Sequence, residues 1–449
     1  MKMMFSRHAA AAWGLYGLLA CASAASDPEC QRKIPLPPAM ARFEDAVCAR
    51  NTGSALQEVL NGLDMDYRDE EGETALFWAA RMGMVEVARE MLQRGARIDV
   101  FNRRGDSLIE AAVSSRKLEM AALILQQGIH PDHASGKRST ALIGAAARGQ
   151  TEMVHLLLDA GANPNGTDAW GQLPLHLACQ GNHLDAALLL IQRGAGLEHK
   201  DRDEMTPLLR ASMSVHLETM MLLLNHGSSL EAREKFGLTA LSFVASRPPS
   251  MSARLQEAAE LLLEAGAEVD AKDRHGRTPF ELAASMKNYA LLPLLARKGA
   301  DIKGAEGPGV RALREGVSKR SADCVQAVLD CGVPPDCWMD GPGGDTALVR
   351  ALGNIPIARM LLQHGANPNR PRTRFVVGNG IWIGAGLKGS DWIQTRTPLM
   401  LAAEMGSAEM AGLLLEHGAR AELRDTQGRT AFDLAKMHGH ESIAQMLAP

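Results

Sequence analysis

Hydrophobic residues recur along this chain at the spacing of short amphipathic helices. Two such segments, Ala141–Arg148 and Glu152–Ala160, are separated by Gly149. Gly161 follows the second segment, at a helix end where a residue that tolerates a left-handed backbone is favoured. Neither helix is long enough to bury its apolar face alone. The pattern therefore predicts a helix pair that packs against copies of itself.

The chain contains these copies, most of them 33 residues apart. Positions equivalent to Thr140 are Thr74, Ser107, Leu173, Thr206, Thr239, Thr278, Arg311, Thr346, Thr397 and Thr430. Helix-ending glycines recur in step with them at Gly62, Gly95, Gly128, Gly161, Gly194, Gly227, Gly266, Gly299, Gly332, Gly365 and Gly418. Four residues after each of these glycines stands Asp, Asn or Glu, with Lys303 as the exception. Such side chains can accept backbone N–H groups, so we expect them to fix the turn.

The chain resembles the ankyrin-repeat proteins. Their T-P-L-H-x-A signature is matched at Leu173–Ala178, Thr206–Ala211, Thr278–Ala283 and Thr397–Ala402. The resemblance covers about residues 40–449 and implies an all-α solenoid of about twelve helix-turn-helix repeats with projecting β-hairpins. Only His176 keeps the signature histidine. Arg138, Glu204 and Thr395 stand where the hairpin glycine is usual.

The amino-terminal residues have the composition of a targeting segment. Lys2 and Arg7 precede the apolar stretch Ala9–Ala20, which is too short to span a bilayer, and Ala22-Ser23-Ala24 fits a signal-peptidase site. We therefore expect a signal peptide over residues 1–24, an extended segment over 25–39 and the repeat domain over 40–449. In an alternative interpretation, Leu18–Cys21 is a bacterial lipobox that leaves a lipid anchor on Cys21.

An exported protein can form disulfide bonds, and two cysteines lie close to the amino-terminal end of the repeats. We expect Cys30 and Cys48 to pair and to tie the proline-rich segment Ile34–Pro38 to the first repeat. Closing a loop of this size stabilises by about 3 kcal/mol in the chain-entropy model. Cys331 ends a predicted helix and Cys337 lies in the next turn, so whether these two pair is left open.

The largest break in the period lies after Gly365, where about twenty extra residues enter the turn at about residues 370–396. Phe375–Val377 and Ile381–Ile383 flank Gly378-Asn379-Gly380. Branched and aromatic runs around such a turn predict a β-hairpin.

Aromatic residues in this insertion and at other predicted hairpin tips are candidate partner-binding residues. They are Trp170, Phe236, Trp338, Phe375, Trp382 and Trp392. Exposed aromatic side chains are favoured at the centre of protein interfaces. The alternative is that the insertion folds back over the groove of the solenoid or over the loop after Leu352.

Few residues are candidates for catalysis or for metal binding. His130 and His133, and likewise His438 and His440, could hold a metal ion, but ankyrin repeats commonly carry polar residues at these positions. We predict no cofactor and no metal. The net charge of −4 gives no reason to expect nucleic acid as a partner.

The resemblance implies a non-enzymatic protein–protein interaction scaffold, which would bind through hairpin tips and the concave face formed by the first helices. The targeting segment adds an exported compartment, periplasmic or secreted, or an outer-membrane lipoprotein. Some exported bacterial ankyrin proteins that resemble this chain are associated with supporting catalase. Two alternatives are a metal-binding or enzymatic protein that uses the histidine clusters, and a secreted effector that acts on a host protein.

We expect the mature chain to begin at Ala25 and to lie outside the cytoplasm, because the first 24 residues combine basic, apolar and small-residue regions in that order. Intact-mass measurement of protein from a fractionated native host checks this expectation. A mass that includes Met1–Ala24 contradicts processing, and a diacylglycerol adduct on Cys21 contradicts the soluble form.

Overall fold

The protein is described here by a computed structural model that covers residues 36–133, 140–304, 306–339, 344–377, 380–382 and 392–448. Contacts divide the chain into two compact units, Met1–Arg202 and Asp203–Pro449. In each unit the described residues form short helices in pairs, which we call the first and second helix of a repeat.

The first unit contains five described pairs. Their bounds are α1 Pro38–Cys48 and α2 Thr52–Leu60, α3 Ala75–Met82 and α4 Val85–Gln93, α5 Leu108–Ser114 and α6 Leu118–Gln126, α7 Ala141–Ala147 and α8 Thr151–Asp159, α9 Pro174–Gln180 and α10 Leu184–Gln192.

The second unit contains seven described pairs and three strands. The helices are α11 Pro207–Ser214 and α12 Leu217–Asn225, α13 Ala240–Ala245 and α14 Ser252–Glu264, α15 Pro279–Ser285 and α16 Leu292–Arg297, α17 Pro308–Ser318 and α18 Ala322–Asp330, α19 Ala347–Arg350 and α20 Ile355–Gln363, α21 Pro398–Met405 and α22 Ala408–Glu416, α23 Ala431–Met437 and α24 Glu441–Met446. The strands are β1 Arg372–Val377, β2 Gly380–Trp382 and β3 Trp392–Arg396. The described pairs number twelve, which confirms the predicted all-α repeat fold.

Threonine starts most of the first helices. The Thr74 hydroxyl accepts the backbone N–H of Phe77 at 3.3 Å. It satisfies one of the donors that a helix leaves free at its amino terminus. The same capping bond occurs at Thr140, Thr206, Thr239, Thr346, Thr397 and Thr430.

Arg311 departs from this pattern because its helix begins earlier, at Pro308. The Arg311 side chain instead binds Glu281 of the preceding repeat through two hydrogen bonds of 2.5 and 2.8 Å. A bidentate pair of this kind fixes both position and orientation. The irregular start is therefore offset by an ion pair between repeats.

The predicted helix-ending glycines are confirmed. All eleven have φ between +85° and +99°, a region that side-chain-bearing residues rarely adopt. At the hairpin tips Glu204 takes a glycine position and still has φ +60°.

The polar residues four positions after these glycines link neighbouring repeats. Asn165 accepts the N–H of Gly196 at 2.8 Å and donates to the Gly194 carbonyl at 3.0 Å. Asp270 accepts the N–H of Asp301 at 2.8 Å. The same link forms from Asp132 to Asn163, Glu231 to Glu268, Asp336 to Asn367 and Asn369 to Arg420. The expectation that they fix their own turn is corrected, since the N–H they accept belongs to the next repeat.

The core is built from small and branched side chains. Met91 and Met153 are buried in it. Met220 of α12 is also buried, whereas its neighbour Met221 is 49% exposed.

The described cysteines form no disulfide with one another. Cys331 and Cys337 are both free thiols, so the open question of their pairing is answered against a bridge. Burial raises the pKa of each to about 11, so both remain protonated at neutral pH. Cys48 lies at the exposed end of α1, whereas Cys30 lies outside the described residues. The Cys30–Cys48 bridge stays a prediction.

We predict that Asn165→Ala lowers the free energy of unfolding by about 1–2 kcal/mol, because two hydrogen bonds to the next repeat are lost. A urea titration followed by circular dichroism measures the change. Thr167→Ala, at an exposed position three residues earlier than Trp170, is the control and should stay within about 0.5 kcal/mol of the parent protein. Equal effects from both variants would show that the link contributes nothing.

Candidate functional site

The turn between α8 and α9 presents Trp170 to solvent. One oxygen of Asp168 accepts the N–H groups of Trp170 and Gln172, each at 2.8 Å. Gly171 completes the turn with φ +75°. The Trp170 side chain is 52% exposed. A rigid turn therefore holds a large aromatic side chain at the surface of the first unit, as predicted.

The same construction recurs in the second unit at Phe236. Glu234 accepts the N–H groups of Phe236 and Leu238 at 2.8 and 3.1 Å. Phe236 is 53% exposed, and the Lys235 ammonium lies 5.3 Å from its ring centroid. Lys235 also pairs with Asp203 at 2.6 Å and holds the pKa of that carboxyl below its ordinary value. The exposed ring is thus flanked by an ion pair.

Trp338 is placed differently from these two. Its ring is half-buried beneath the Arg370 guanidinium, whose carbon lies 4.1 Å from the ring centroid. The Trp338 carbonyl accepts a hydrogen bond from Arg314, which is itself held by Glu306 at 2.6 and 2.8 Å. The packing gives Trp338 a structural role at the base of the insertion.

The insertion is a three-stranded sheet with strand order β2-β1-β3. The predicted hairpin is confirmed, since β1 and β2 pair antiparallel. β3 was not predicted. Phe375 lies opposite Trp382 on one side and opposite Trp392 on the other. The three predicted aromatic positions therefore form one row across the sheet. Residues 378–379 and 383–391 lie outside the described part of the chain.

Arginines join the base of this sheet to the repeats beside it. Arg372 Nε lies 2.6 Å from the Asp345 carboxylate. Arg370 donates to the Asp336 carbonyl at 2.9 Å. Arg396, at the end of β3, pairs with Glu404 on α21. The base is thus attached to both neighbouring repeats.

Beside the base lies a cavity of about 290 Å³. Its apolar lining includes Val317, Leu352 and Ile357, and its charged lining consists of Arg320, Arg350, Arg372 and Asp345. The sequence analysis missed these charged residues. They come from two repeats and the insertion, at spacings unrelated to the 33-residue period, so no local motif marks them. The loop after Leu352 lines the cavity together with Arg372, so the base of the insertion reaches the loop named in the fold-back alternative.

The histidine clusters have other contacts. His133 pairs with Asp99 at 3.0 Å and stacks on Phe101, with ring centroids 4.7 Å apart. His440 lies 3.2 Å from the Glu404 carbonyl. In the described part of the chain, no three His, Cys, Asp or Glu side chains come together as a metal site requires.

Exposed methionines add to the first-helix surface. Met405 at the end of α21 and Met437 at the end of α23 are each 57% exposed. Methionine side chains adapt to irregular partner surfaces. No helix within the described ranges is both long and apolar enough to cross a membrane.

Comparison with known families agrees with this geometry. A family model described as "Ankyrin repeats (3 copies)" matches residues 45–135, 131–201, 193–273 and 381–449, and one described as "Ankyrin repeat" matches 343–372. The chain belongs to the ankyrin-repeat family. The structure adds two ankyrin helix pairs, α15–α16 and α17–α18, in the interval between the matched ranges.

Individual relatives share part of this chain. Human Rabankyrin-5 is 36% identical over 120 residues, which are 26% of this chain and 10% of that protein. Cyclin-dependent kinase 4 inhibitor B of Bos taurus is 32% identical over 141 residues, 31% of this chain and 92% of that protein. The putative ankyrin repeat protein YahD of Escherichia coli is 26% identical over 190 residues, 41% of this chain and 85% of that protein. The chain thus spans about a tenth of the length of Rabankyrin-5.

Among the aromatic candidates, we predict that Trp338→Ala lowers the free energy of unfolding by about 2 kcal/mol, since it removes a half-buried ring and its arginine contact. Trp170→Ala and Phe236→Ala should each cost less than about 1 kcal/mol, because more than half of each side chain is exposed. Urea denaturation of the three variants gives the comparison. A loss at Trp170 as large as that at Trp338 would contradict the assignment.

Proposed function

We propose that this chain is a non-enzymatic scaffold that binds a protein partner through the insertion at 370–396, the exposed hairpin tips and the first-helix face. Ankyrin repeats generally mediate protein–protein interaction, and proteins of this family are typically non-enzymatic. What we add to this family property is the part of the surface that binds the partner.

The observation that carries this proposal is the link across the insertion. Asn369 accepts the Arg420 N–H at 2.8 Å and donates to the Gly418 carbonyl at 3.0 Å. Asn165 makes the same two bonds, at the same distances, between repeats that have no insertion. The repeats on either side of the insertion therefore stack in the ordinary way. Because stacking does not require the extra residues, we assign them to recognition.

The aromatic row supports the same assignment. Phe375, Trp382 and Trp392 are brought into register by backbone pairing, although Trp392 lies 17 residues from Phe375. Aromatic residues dominate the binding free energy of many protein interfaces. A preformed sheet also reduces the conformational entropy that is lost on binding.

Relatives add support at a coarser level. Two of them, from Bos taurus and Monodelphis domestica, are named as inhibitors of cyclin-dependent kinases, so their names record a protein target. We carry over only the class of ligand, a protein. The composition of residues 1–24 supports a location in an exported compartment, either soluble or attached through Cys21.

The test shortens the insertion without disturbing its base. Residues Phe375–Trp392 are replaced by Asn-Gly, a two-residue turn suited to joining the retained antiparallel ends at Arg374 and Ile393. We expect unchanged thermal stability and at least a tenfold loss of partner capture. Capture is measured by quantitative mass spectrometry of material bound from envelope extracts, followed by titration of the purified partner.

A full-length variant with Phe375, Trp382 and Trp392 all changed to Ser is the matched control for length. It should lose capture to a similar degree. A large loss of stability on shortening would show that the insertion is structural. Full capture of the partner by the shortened chain would show that the binding surface lies outside the insertion.

A further inference from the structure

The solvent-facing side of α7, a first helix of the first unit, has almost no side chains. Gly144 and Ala147 reach solvent, whereas the other five residues of this helix are buried. At the position equivalent to Gly144, the neighbouring first helices α5 and α9 carry Ala111 and Leu177. Both of these helices pack against α7. The glycine therefore leaves a notch in the row of first helices.

The side chain of Arg148 lies over this notch. Arg148 follows the last residue of α7, and its Nη1 donates a hydrogen bond to the Gly144 carbonyl at 2.8 Å. A Cβ atom at residue 144 would lie only 3.0 Å from the same nitrogen. Any larger residue at this position would displace the guanidinium, so the glycine makes room for the arginine. A guanidinium has five N–H donors, and this bond uses one of them.

Burial distinguishes Arg148 from the other arginines of the first unit. Exposed arginines without an ion pair, such as Arg89, are solvated by water, so their charge costs little. Among the described residues of this unit, Arg148 is the one arginine that is half-buried and forms no ion pair. The half-buried Arg193, in contrast, pairs with Asp159 at 2.9 Å.

A second arginine adds a like charge at the same place. Arg116, from the preceding repeat, is exposed and follows the end of α5. Burial lowers the pKa of Arg148, and the charge of Arg116 lowers it further. The protein without its partner thus holds a partly desolvated cation beside another cation. This arrangement is unfavourable until an anion joins it.

We propose that Arg148 and Arg116 bind an acidic side chain of the protein partner on the first-helix face of the first unit. A carboxylate offsets both positive charges, and its two oxygens match the paired N–H groups of a guanidinium. The apolar surface of Ala111 and Leu177 beside the notch suits the aliphatic part of that side chain. The inference rests on the proposed function, because it names the chemistry of one contact with the protein partner.

The experiment uses the full-length chain and a rhodamine-labelled peptide, Leu-Ala-Glu-Glu-Ala-Leu. The same peptide with Gln-Gln in place of Glu-Glu is the neutral probe. Fluorescence polarisation at low ionic strength should show at least tenfold tighter binding of the acidic peptide. Arg148→Gln should abolish this preference. It should also leave the midpoint of urea unfolding unchanged or higher, because it removes a partly desolvated cation.

Two further variants test the geometry and the second charge. Gly144→Ala keeps both arginines but displaces the guanidinium, so it should weaken binding at least threefold. Alanine favours a helix more than glycine does, so this variant should fold. Arg116→Gln should weaken binding about fivefold. Its matched control is Arg50→Gln, since Arg50 is exposed at the equivalent position of the first repeat with φ +53° and should not contribute.

The alternative is that Arg148 only caps the carboxyl end of α7, where a cation is favourable. Equal peptide binding by Arg148→Gln and the parent protein would overturn the proposal, and a lower urea midpoint would then identify the cap. Failure of the parent protein to prefer the acidic peptide would also overturn it. Competition by inorganic phosphate but not by acetate, at equal ionic strength, would overturn the assignment of the ligand as a carboxylate.

The shortened chain, with Phe375–Trp392 replaced, separates this inference from the proposed function. It retains both arginines of the first unit and should bind the acidic peptide as the parent protein does. Peptide binding by the parent protein without capture of any protein partner would overturn the proposed function alone. Partner capture that is unchanged by Arg148→Gln, together with no preference for the acidic peptide, would overturn this inference alone.

Discussion

One recurring hydrogen bond determines how the repeats of each unit stack. A carboxylate or amide in the turn of one repeat accepts a backbone N–H of the next, as Asn165 does from Gly196 and Asp270 from Asp301. A helix pair of this length cannot bury its apolar face without a neighbour. The link fixes the position of one turn relative to the next, while the alanine-rich helices pack against one another. It requires a glycine with positive φ two residues before the donated N–H, which explains why the two features repeat together.

The same constraint explains how the chain tolerates a long insertion. The bond from Asn369 to Arg420 spans 51 residues of sequence and has the same length as the bond from Asn165 to Gly196. The extra residues leave the stack and return to it at fixed points. Their base is held by Arg372 and Arg396, which pair with carboxylates of the adjacent repeats. The insertion is therefore free to acquire a sequence suited to recognition.

Charged side chains come together at an irregular repeat of this chain. Beside the short helix α19 lies the cavity of about 290 Å³, whose lining includes arginines from three elements and one carboxylate. Binding specificity in a repeat protein is expected at such departures, because the regular positions are constrained by packing.

The sequence alone determined the repeat count and the helix-ending glycines, because a glycine such as Gly161 acts on its own few residues. It misplaced one helix start, since α17 begins at Pro308 rather than at Arg311. It also indicated the β1–β2 hairpin from a local turn. Only the tertiary structure decided which partner a polar turn residue binds, since the donor of the N–H lies about 31 residues away. The same holds for Trp338, whose ring lies beneath Arg370, whereas Trp170 is 52% exposed. Strand β3 and the arginine cavity likewise depend on contacts between segments that are distant in sequence. A local sequence pattern does not predict such contacts, because the packing of whole repeats brings the contacting residues together.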